Sequence, residues 1–273
     1  MSLSVATLMS VYGGDRPPLL AAALGSVLAQ KFTQDVTSRI YLAVDGPVSD
    51  ETERVIAEHS DRIHCIVRID RNGGLARALN SLIAQLKDEE FVFRMDADDV
   101  SLPTRYQSQL SRFQRDPPVD ILGTDIVEHD EATGRKRLVS FALDHDDAIA
   151  KLSWRVPVAH PTVCFRREVL RVVPTYPTTG TNEDIAMWFR CAHAGFRFAN
   201  IHEPQLVFRI SPAFWRRRSI GKAFSELKCY FRGIWMLHGV TWKYVLPILR
   251  FSLRLAPVSV VRWAYESKRL RPG

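Results

Sequence analysis

The sequence predicts an α/β fold, a parallel sheet with helices on both faces. Three observations carry that expectation. Short apolar runs alternate with helix-patterned segments through the first 100 residues. Helix-start chemistry recurs between the runs: Pro17-Pro18 in one place, Ser49 followed by Asp50 and Glu51 in another. Polar clusters follow the apolar runs, at Asp45-Gly46-Pro47, Arg71-Asn72-Gly73 and Asp96 to Asp99. In open α/β sheets ligands bind beyond the carboxyl ends of the strands, so these clusters should crowd one rim.

The elements follow in order. Val5 to Val11 reads as a buried strand. Pro17-Pro18 opens a helix through Leu19 to Gln30. Arg39 to Val44 is a second apolar strand, Ser49 begins a helix, and Ile63 to Ile69 is a third strand. Leu75 to Leu86 is a helix and Phe91 to Met95 a fourth strand. After Asp116-Pro117-Pro118 the pattern loosens. Asp120 to Val127, Arg137 to Ala142 and Thr162 to Arg166 read as strands, and Asp144 to Trp154 as a helix. A Pro/Thr/Gly-rich loop, Val173 to Asn182, leads to a helix from Glu183 to Ala194 stopped by Gly195. Gln205 to Ile210 returns to the sheet, and beyond Pro212 the chain is helical, basic and aromatic. No internal repeat is visible.

The 273 residues suffice for one large domain or two small ones, with the composition of an ordinary globular protein. Cys65, Cys164, Cys191 and Cys229 form no C-x-x-C pair, so they read as buried thiols in a reducing compartment rather than a zinc site or disulfide framework. Met1 to Ala6 lacks the basic residues of a signal peptide, and no uncharged run is long enough to span a bilayer. The net charge of +7 is unevenly placed. Residues 209–273 hold 14 Lys/Arg against Glu226 and Glu266, a balance of +12; residues 1–208 hold 23 Lys/Arg and 28 acids, a balance of −5.

Asp96, Asp98 and Asp99 repel one another, so a cation should hold them together: a metal ion, a local arginine, or both. Arg94 and Arg105 flank them. In a strand, side chains two apart share a face, which would aim Asp96 and Asp98 to one side. Paired carboxylates at a sheet rim suit a hard divalent cation, Mg2+ or Mn2+, shared with phosphate oxygens. The plainer alternative is a polar turn in which Asp99 or Ser101 caps the next helix.

Seven stretches in order, TLMSVYGGDRP, LAVDGP, RNGGLARALN, RMDADDVSLPTR, HPTVCFRREVL, NEDIAMWFR and FRISPAFWRRRS, resemble family 2 glycosyltransferases, the inverting nucleotide-sugar enzymes. Within that family the chain resembles the bacterial branch that builds exopolysaccharide and O-antigen repeat units, including amylovoran-type transferases. The resemblance implies a GT-A type, Rossmann-like fold: residues 1–210 as catalytic domain, with 1–100 the nucleotide half and 101–210 the acceptor half, and 211–273 as a basic amphipathic helical tail. It implies that Tyr12 borders the nucleotide base, Asp45 accepts a base N–H, Arg71 lies against base or phosphates, Asp96 holds the ribose and Asp98 the metal. It makes Asp184 the general base, with Glu183 beside it. Taken alone, Asp45 reads equally as a turn residue before glycine, and acids are common in a first helical turn for dipole reasons. The helix dipole should lower the pKa of Asp184, while burial would offset it. The loop Pro174 to Thr181 before it is expected to close over substrates.

The chain departs from the family pattern in three places. Gly13 stands where Asn usually follows the tyrosine, the acidic turn is shortened to Asp45-Gly46-Pro47, and Ala159 replaces an Asn before His160. His160 is read as lining the pocket. Arg209 and Arg216-Arg217-Arg218 could bind a leaving diphosphate in a planar fork, with Arg217 or Arg218 expected to reach it. The tail interleaves Trp242, Tyr244, Phe251, Trp263 and Tyr265 with basic residues, and Arg250 and Arg254 share a helical face. That suits an amphipathic element in the membrane interface, the alternatives being packing on the body or a dimer contact.

The expected function is transfer of a sugar from a nucleotide-diphosphate sugar to a hydroxyl of a glycan or lipid-linked sugar, on the cytoplasmic side and peripheral to the inner face of the membrane. A sugar nucleotidyltransferase would want a lysine in a glycine-rich loop after the first strand, where Gly13-Gly14-Asp15-Arg16 has none. A basic membrane-binding adaptor without enzymatic activity fits the tail but not the acidic rim, and nucleic acid is not an expected partner. A phospho-acceptor receiver domain is excluded, because its acidic pair belongs where this chain has Tyr12-Gly13-Gly14.

Overall fold

A computed structural model describes residues 2–115, 118–179, 182–211 and 220–255, with side chains to residue 253. A largely apolar run of ten residues forms β1 (Leu3–Tyr12), and Pro17 at the first helical turn starts α1 (Pro17–Leu28). Strand β2 (Val36–Asp45) leads to Ser49, whose side chain accepts the Thr52 N–H and caps α2 (Asp50–Glu58). After β3 (Cys65–Ile69), Gly74 at φ +85° turns the chain into α3 (Leu75–Ile83), a left-handed conformation that glycine adopts without strain. Then come β4 (Phe91–Asp96), the two-residue β5 (Val100–Ser101) and α4 (Arg105–Arg115). The second half holds β6 (Ile121–Asp130), β7 (Lys136–Val139), α5 (His145–Lys151), β8 (Cys164–Arg166), α6 (Arg167–Val172), α7 (Glu183–His193) and β9 (Phe198–Ile210). Two helices follow, α8 (Ile220–His238) and α9 (Val245–Leu255).

One nine-stranded sheet runs β3-β2-β1-β4-β8-β6-β9-β5, with β7 on β6. The four strands of residues 1–100 are parallel, as expected. The rest is mixed, because β8 runs antiparallel to both β4 and β6. Successive residues of β1 enter opposite cores. Ala6 and Leu8 join α3 and α7 on one face, while Val5, Met9 and Val11 join α1, α2 and α4 on the other. That burial on both faces explains the unbroken apolar runs.

The order contains a geometric constraint. Asp96 ends β4 and Val100 begins β5, yet three strands separate them in the sheet. In a flat sheet, four steps of about 4.8 Å would part them by roughly 19 Å. Four Cα–Cα links reach at most about 14 Å. The sheet must therefore curl until its far edge returns towards β4, and the acidic turn sits on the seam.

Several expected boundaries move. The third strand shortens to Cys65–Ile69 behind a 3-10 turn at Ser60–Arg62, and the helix from Leu75 ends at Ile83. Thr162 falls in a 3-10 turn, His160–Thr162, ahead of β8. The return strand begins at Phe198 and not Gln205. Neither Asp99 nor Ser101 caps α4: Ser101 pairs with Leu206 in the sheet, and α4 starts at Arg105. All four cysteines are free; Cys164 and Cys191 are buried, but Cys65 and Cys229 are only partly so.

The described part of the tail packs on the body along one face of α8. Ala223, Tyr230, Gly233 and Ile234 recur at helical spacing and are buried. The Tyr230 ring meets Phe189 of α7 edge-on at 6.0 Å. Arg250 does not face outward as its pairing with Arg254 suggested. It donates to Glu226 at 2.6 Å and to the Trp154 carbonyl at 3.1 Å, because a buried carboxylate on α8 needs a partner. Elsewhere the described part of the tail exposes Trp235 (63%), Val240 (88%), Trp242 (71%) and Leu253 (69%). No helix among the described residues is long and apolar enough to cross a membrane.

A Cβ at Gly233 would run into the Phe189 ring. Alanine normally gains up to about 1 kcal/mol over glycine within a helix. Here overpacking, about 1–3 kcal/mol, should win. Gly233→Ala is expected to lower Tm by a few degrees in calorimetry, where an unobstructed helical glycine would raise it.

Candidate active site

A cleft of about 720 Å³ opens at the carboxyl ends of the parallel strands. Tyr12, Asp45, Asp96, Asp98, His160 and Asp184 all line it. Residues spread over more than half the sequence thus meet at one rim.

Asp45 ends β2 and is buried. Its two oxygens accept the Gly73 and Gly74 N–H groups at 2.8 Å each, so it holds the turn into α3. Gly46, at φ +84°, lies so close that a Cβ would sit 2.6 Å from the Asn72 nitrogen. Gly13 is equally constrained, since a Cβ there would lie 2.8 Å from the Pro47 carbonyl oxygen. These contacts account for two departures from the family pattern: the loops after β1, β2 and β3 are packed together too tightly for larger residues. Arg71 stays exposed on the same loop and does not line the cleft. Tyr12 does, its N–H donating to Asp15 Oδ2 at 3.0 Å.

The acidic turn has the local arginine its charge demanded. Arg94, 3% exposed, grips Asp96 through both terminal nitrogens, one contact at 2.6 Å. Burial works against the Arg94 charge, and Asp96 outweighs burial, so its pKa is raised. Arg105 serves differently. Fully buried, it donates to the Arg94 carbonyl at 2.9 Å and to Gln109, bracing the strand rather than neutralising the acids.

Strand β4 stops at Asp96, so Asp98 and Asp99 are aimed by the turn and not by strand alternation. One oxygen from each of Asp96, Asp98 and Asp99 lies within 4.8 Å of the others. Asp99, expected either to share a cation with its neighbours or to cap the next helix, does not cap α4. It is fully buried; Oδ1 accepts the Arg209 N–H at 2.9 Å, and Oδ2 has no hydrogen-bond partner. Burial first, then Asp96 and Asp98, push its pKa well above the usual carboxylate range. A buried, orphaned oxygen in a ring of like charges fits a divalent cation, for which carboxylate oxygens are the preferred donors.

Asp184 begins α7. Its carboxyl is partly accessible from the cleft yet surrounded by protein, and burial followed by Glu183 raises its pKa to about 6. Burial thus overcomes the helix dipole. His160 contacts the Tyr176 hydroxyl at 3.0 Å through Nε2, and burial together with Arg94 holds its pKa well below normal, so it is neutral. Tyr176 lies in the loop expected to move. Its backbone N–H and carbonyl both bond to the Asn80 side chain, at 2.7 and 2.9 Å, and this part of the loop is pinned. Reciprocal Asn–backbone pairing 96 residues apart leaves no local signal in sequence. Arg209 also lines the cleft, and Nη1 approaches the Asp98 carbonyl at 3.5 Å. Arg217 and Arg218 lie outside the described residues.

Residues 8–173 match the family model described as Glycosyl transferase family 2, and residues 91–265 that described as Glycosyl transferase family group 2. The chain is 29% identical to the amylovoran biosynthesis glycosyltransferase AmsE of Erwinia amylovora, over 96% of this chain and 98% of that one. It is 26% identical to the UDP-Gal:alpha-D-GlcNAc-diphosphoundecaprenol beta-1,3-galactosyltransferase of Escherichia coli, over 95% and 94% of the two chains. In structure it is similar to S. aureus TarS 1-349 (TM-score 0.64, 14% identity, 92% of this chain and 73% of that one). It is also similar to the mannosyltransferase PcManGT from Pyrobaculum calidifontis in complex with GDP-Man and Mn2+ (TM-score 0.59, 18% identity, 98% and 80%).

Asparagine at 99 would keep the bond from the Arg209 N–H and replace the orphaned oxygen with a donor facing carboxylates. Asp99→Asn is expected to raise the metal-free Tm. The gain should be about 1–2 kcal/mol, roughly 2–6 °C for a chain of this size. Any Tm increase that Mn2+ gives the wild type should be lost. Thermal melts with Mn2+ and with chelator check both.

Proposed function

The chain belongs to glycosyl transferase family 2, and on that premise we propose that it transfers a sugar, with inversion, from a nucleotide-diphosphate sugar to a hydroxyl of a lipid-linked glycan in cell-surface polysaccharide synthesis. Its sheet has the GT-A architecture. The observation that carries the mechanistic reading is the meeting, in one cleft, of the acidic turn after β4 and the raised carboxyl of Asp184.

Asp98 and Asp99, with Asp96, would hold Mg2+ or Mn2+, which when bound neutralises charge on the departing diphosphate. Asp96 is proposed to orient the ribose, and Tyr12 and Asp45 to border the base; Arg71 would need to swing inward to join them. Arg209 lies beside the acidic turn in the cleft, and Arg217 and Arg218 are proposed to extend its reach to the diphosphate. Asp184 takes the proton of the acceptor hydroxyl as its oxygen attacks the anomeric carbon. The bond from that carbon to the diphosphate oxygen breaks on the opposite face, and the electron pair leaves with the nucleoside diphosphate. A pKa of about 6 leaves Asp184 mostly ionised at neutral pH and makes it a stronger base than an ordinary carboxylate. No lysine lines the cleft among the described residues, which disfavours the nucleotidyltransferase alternative. The exposed apolar surface of α8 and α9 supports a peripheral position on a membrane, and the cytoplasmic face is the side proposed.

The first test is a thermal-shift panel of nucleotides and nucleotide sugars, with Mn2+ or Mg2+ and then with chelator. A metal-dependent shift with one nucleoside diphosphate is expected; no shift with any of them in folded protein would sink the reading. Asp184→Asn should keep donor affinity and lose about 10²–10⁴ in kcat. In the wild type, kcat/KM should fall tenfold per pH unit below about 6, where Asp184 is protonated, and level off above. Asp98→Asn should stay folded and lose transfer; substantial activity with unchanged metal dependence would remove Asp98 from the metal site.

A further inference from the structure

A second groove, of about 330 Å³, lies between α7 and α8. It begins at Asn182, two residues before Asp184, where the Asn182 side chain reaches the Ser225 hydroxyl at 3.4 Å. Arg190 comes from one wall; Lys228 and Arg232, one helical turn apart, come from the other. All three are exposed. Arg190 donates to the Thr175 carbonyl, but none of the three has a carboxylate at ion-pair distance among the described residues. Beyond Arg232 the groove opens into a shallow apolar dish that shares Arg232 and Met236 and includes Trp235 and Tyr244.

Polar, cationic and aromatic surfaces therefore follow one another along α8. Ser225 to Trp235 spans about 15 Å of helix. A lipid-linked sugar diphosphate presents the same order: sugar, two phosphates, hydrocarbon. Three cations without a carboxylate partner among the described residues, converging on a concavity from two helices, suit the concentrated charge of a diphosphate better than a planar bilayer, which would meet them on a convex surface.

We propose that the groove between α7 and α8 is the acceptor's diphosphate subsite, with Lys228, Arg232 and Arg190 on the phosphates and Trp235 under the start of the hydrocarbon. This rests on the transferase reading, and it places the acceptor sugar beside Asp184.

The test uses farnesyl diphosphate, which carries the diphosphate and an isoprenoid chain but no sugar, alongside vesicles of equal parts phosphatidylcholine and phosphatidylglycerol. Calorimetry on the full chain with Lys228→Gln/Arg232→Gln should show farnesyl diphosphate affinity falling roughly tenfold or more, with vesicle partition and Mn2+–nucleotide affinity held within about twofold. Arg190→Gln, on the other wall, should act in the same direction. Unchanged farnesyl diphosphate affinity in both variants overturns the proposal. So does a parallel loss of vesicle binding, which would assign the cations to bilayer headgroups. The two readings fail separately: absence of nucleotide-sugar binding removes the transferase reading, whereas a groove that ignores these substitutions removes the diphosphate subsite with the donor site intact.

Discussion

Three residues between β4 and β5 set the shape of this molecule. Ala97, Asp98 and Asp99 must connect strands that hydrogen bonding places four steps apart, and only a curled sheet permits it. The curl brings β9 against the acidic turn, where the Arg209 N–H reaches Asp99 and Val207 pairs with Val100. Shortness of a loop is thus what concentrates charge at the seam. A longer connection would relax the sheet and spread the three carboxylates apart.

A single buried guanidinium makes that concentration tolerable. Arg94 contacts Asp96 directly, and its field favours the ionised forms of Asp99, Asp184 and Tyr176 while disfavouring a charged His160. A buried ion pair seldom adds net stability, because desolvation offsets its attraction. Its consequence is better sought in the site, where it biases Asp99 of the acidic turn and Asp184 of α7 from one position. Burial is the main reason that His160 is held neutral and that the Asp184 pKa is raised; Arg94 reinforces the first effect and tempers the second.

Much of the parallel half was legible in sequence because both faces of β1, β2 and β4 are buried, which leaves continuous apolar runs. The site was legible where a motif and a strand end coincide, at Asp45 and at Asp96 to Asp99. It was not legible where distant residues meet. Asn80 pins Tyr176, and Gly13 meets Pro47, through contacts with no local pattern. Helix α4 hid because its buried stripe includes Arg105 and Gln109, which read as surface residues. The first half of β9 hid because Asn200, His202, Glu203 and Pro204 break the apolar run, and the register against β6 shifts at this point. The basic tail was visible as charge, yet Arg250 turned out to belong to Glu226, since net charge says nothing about which cation is already taken.

The position of β9 governs how the chain can be assembled. It is the last strand in sequence among the described residues, but it sits between β6 and β5, not at an edge. A nascent chain can complete β1 to β4 as it emerges, since their pairings are near neighbours. The slot beside β6 then stays open until Phe198–Ile210 has left the ribosome, and β5 has no strand to rest on. Pairing across that sequence separation is slow, because a long loop must close before any contact rewards it. The cleft therefore matures late. Its three clustered carboxylates stay unassembled through most of synthesis, and truncation before residue 210 would leave an open sheet seam instead of a smaller folded domain.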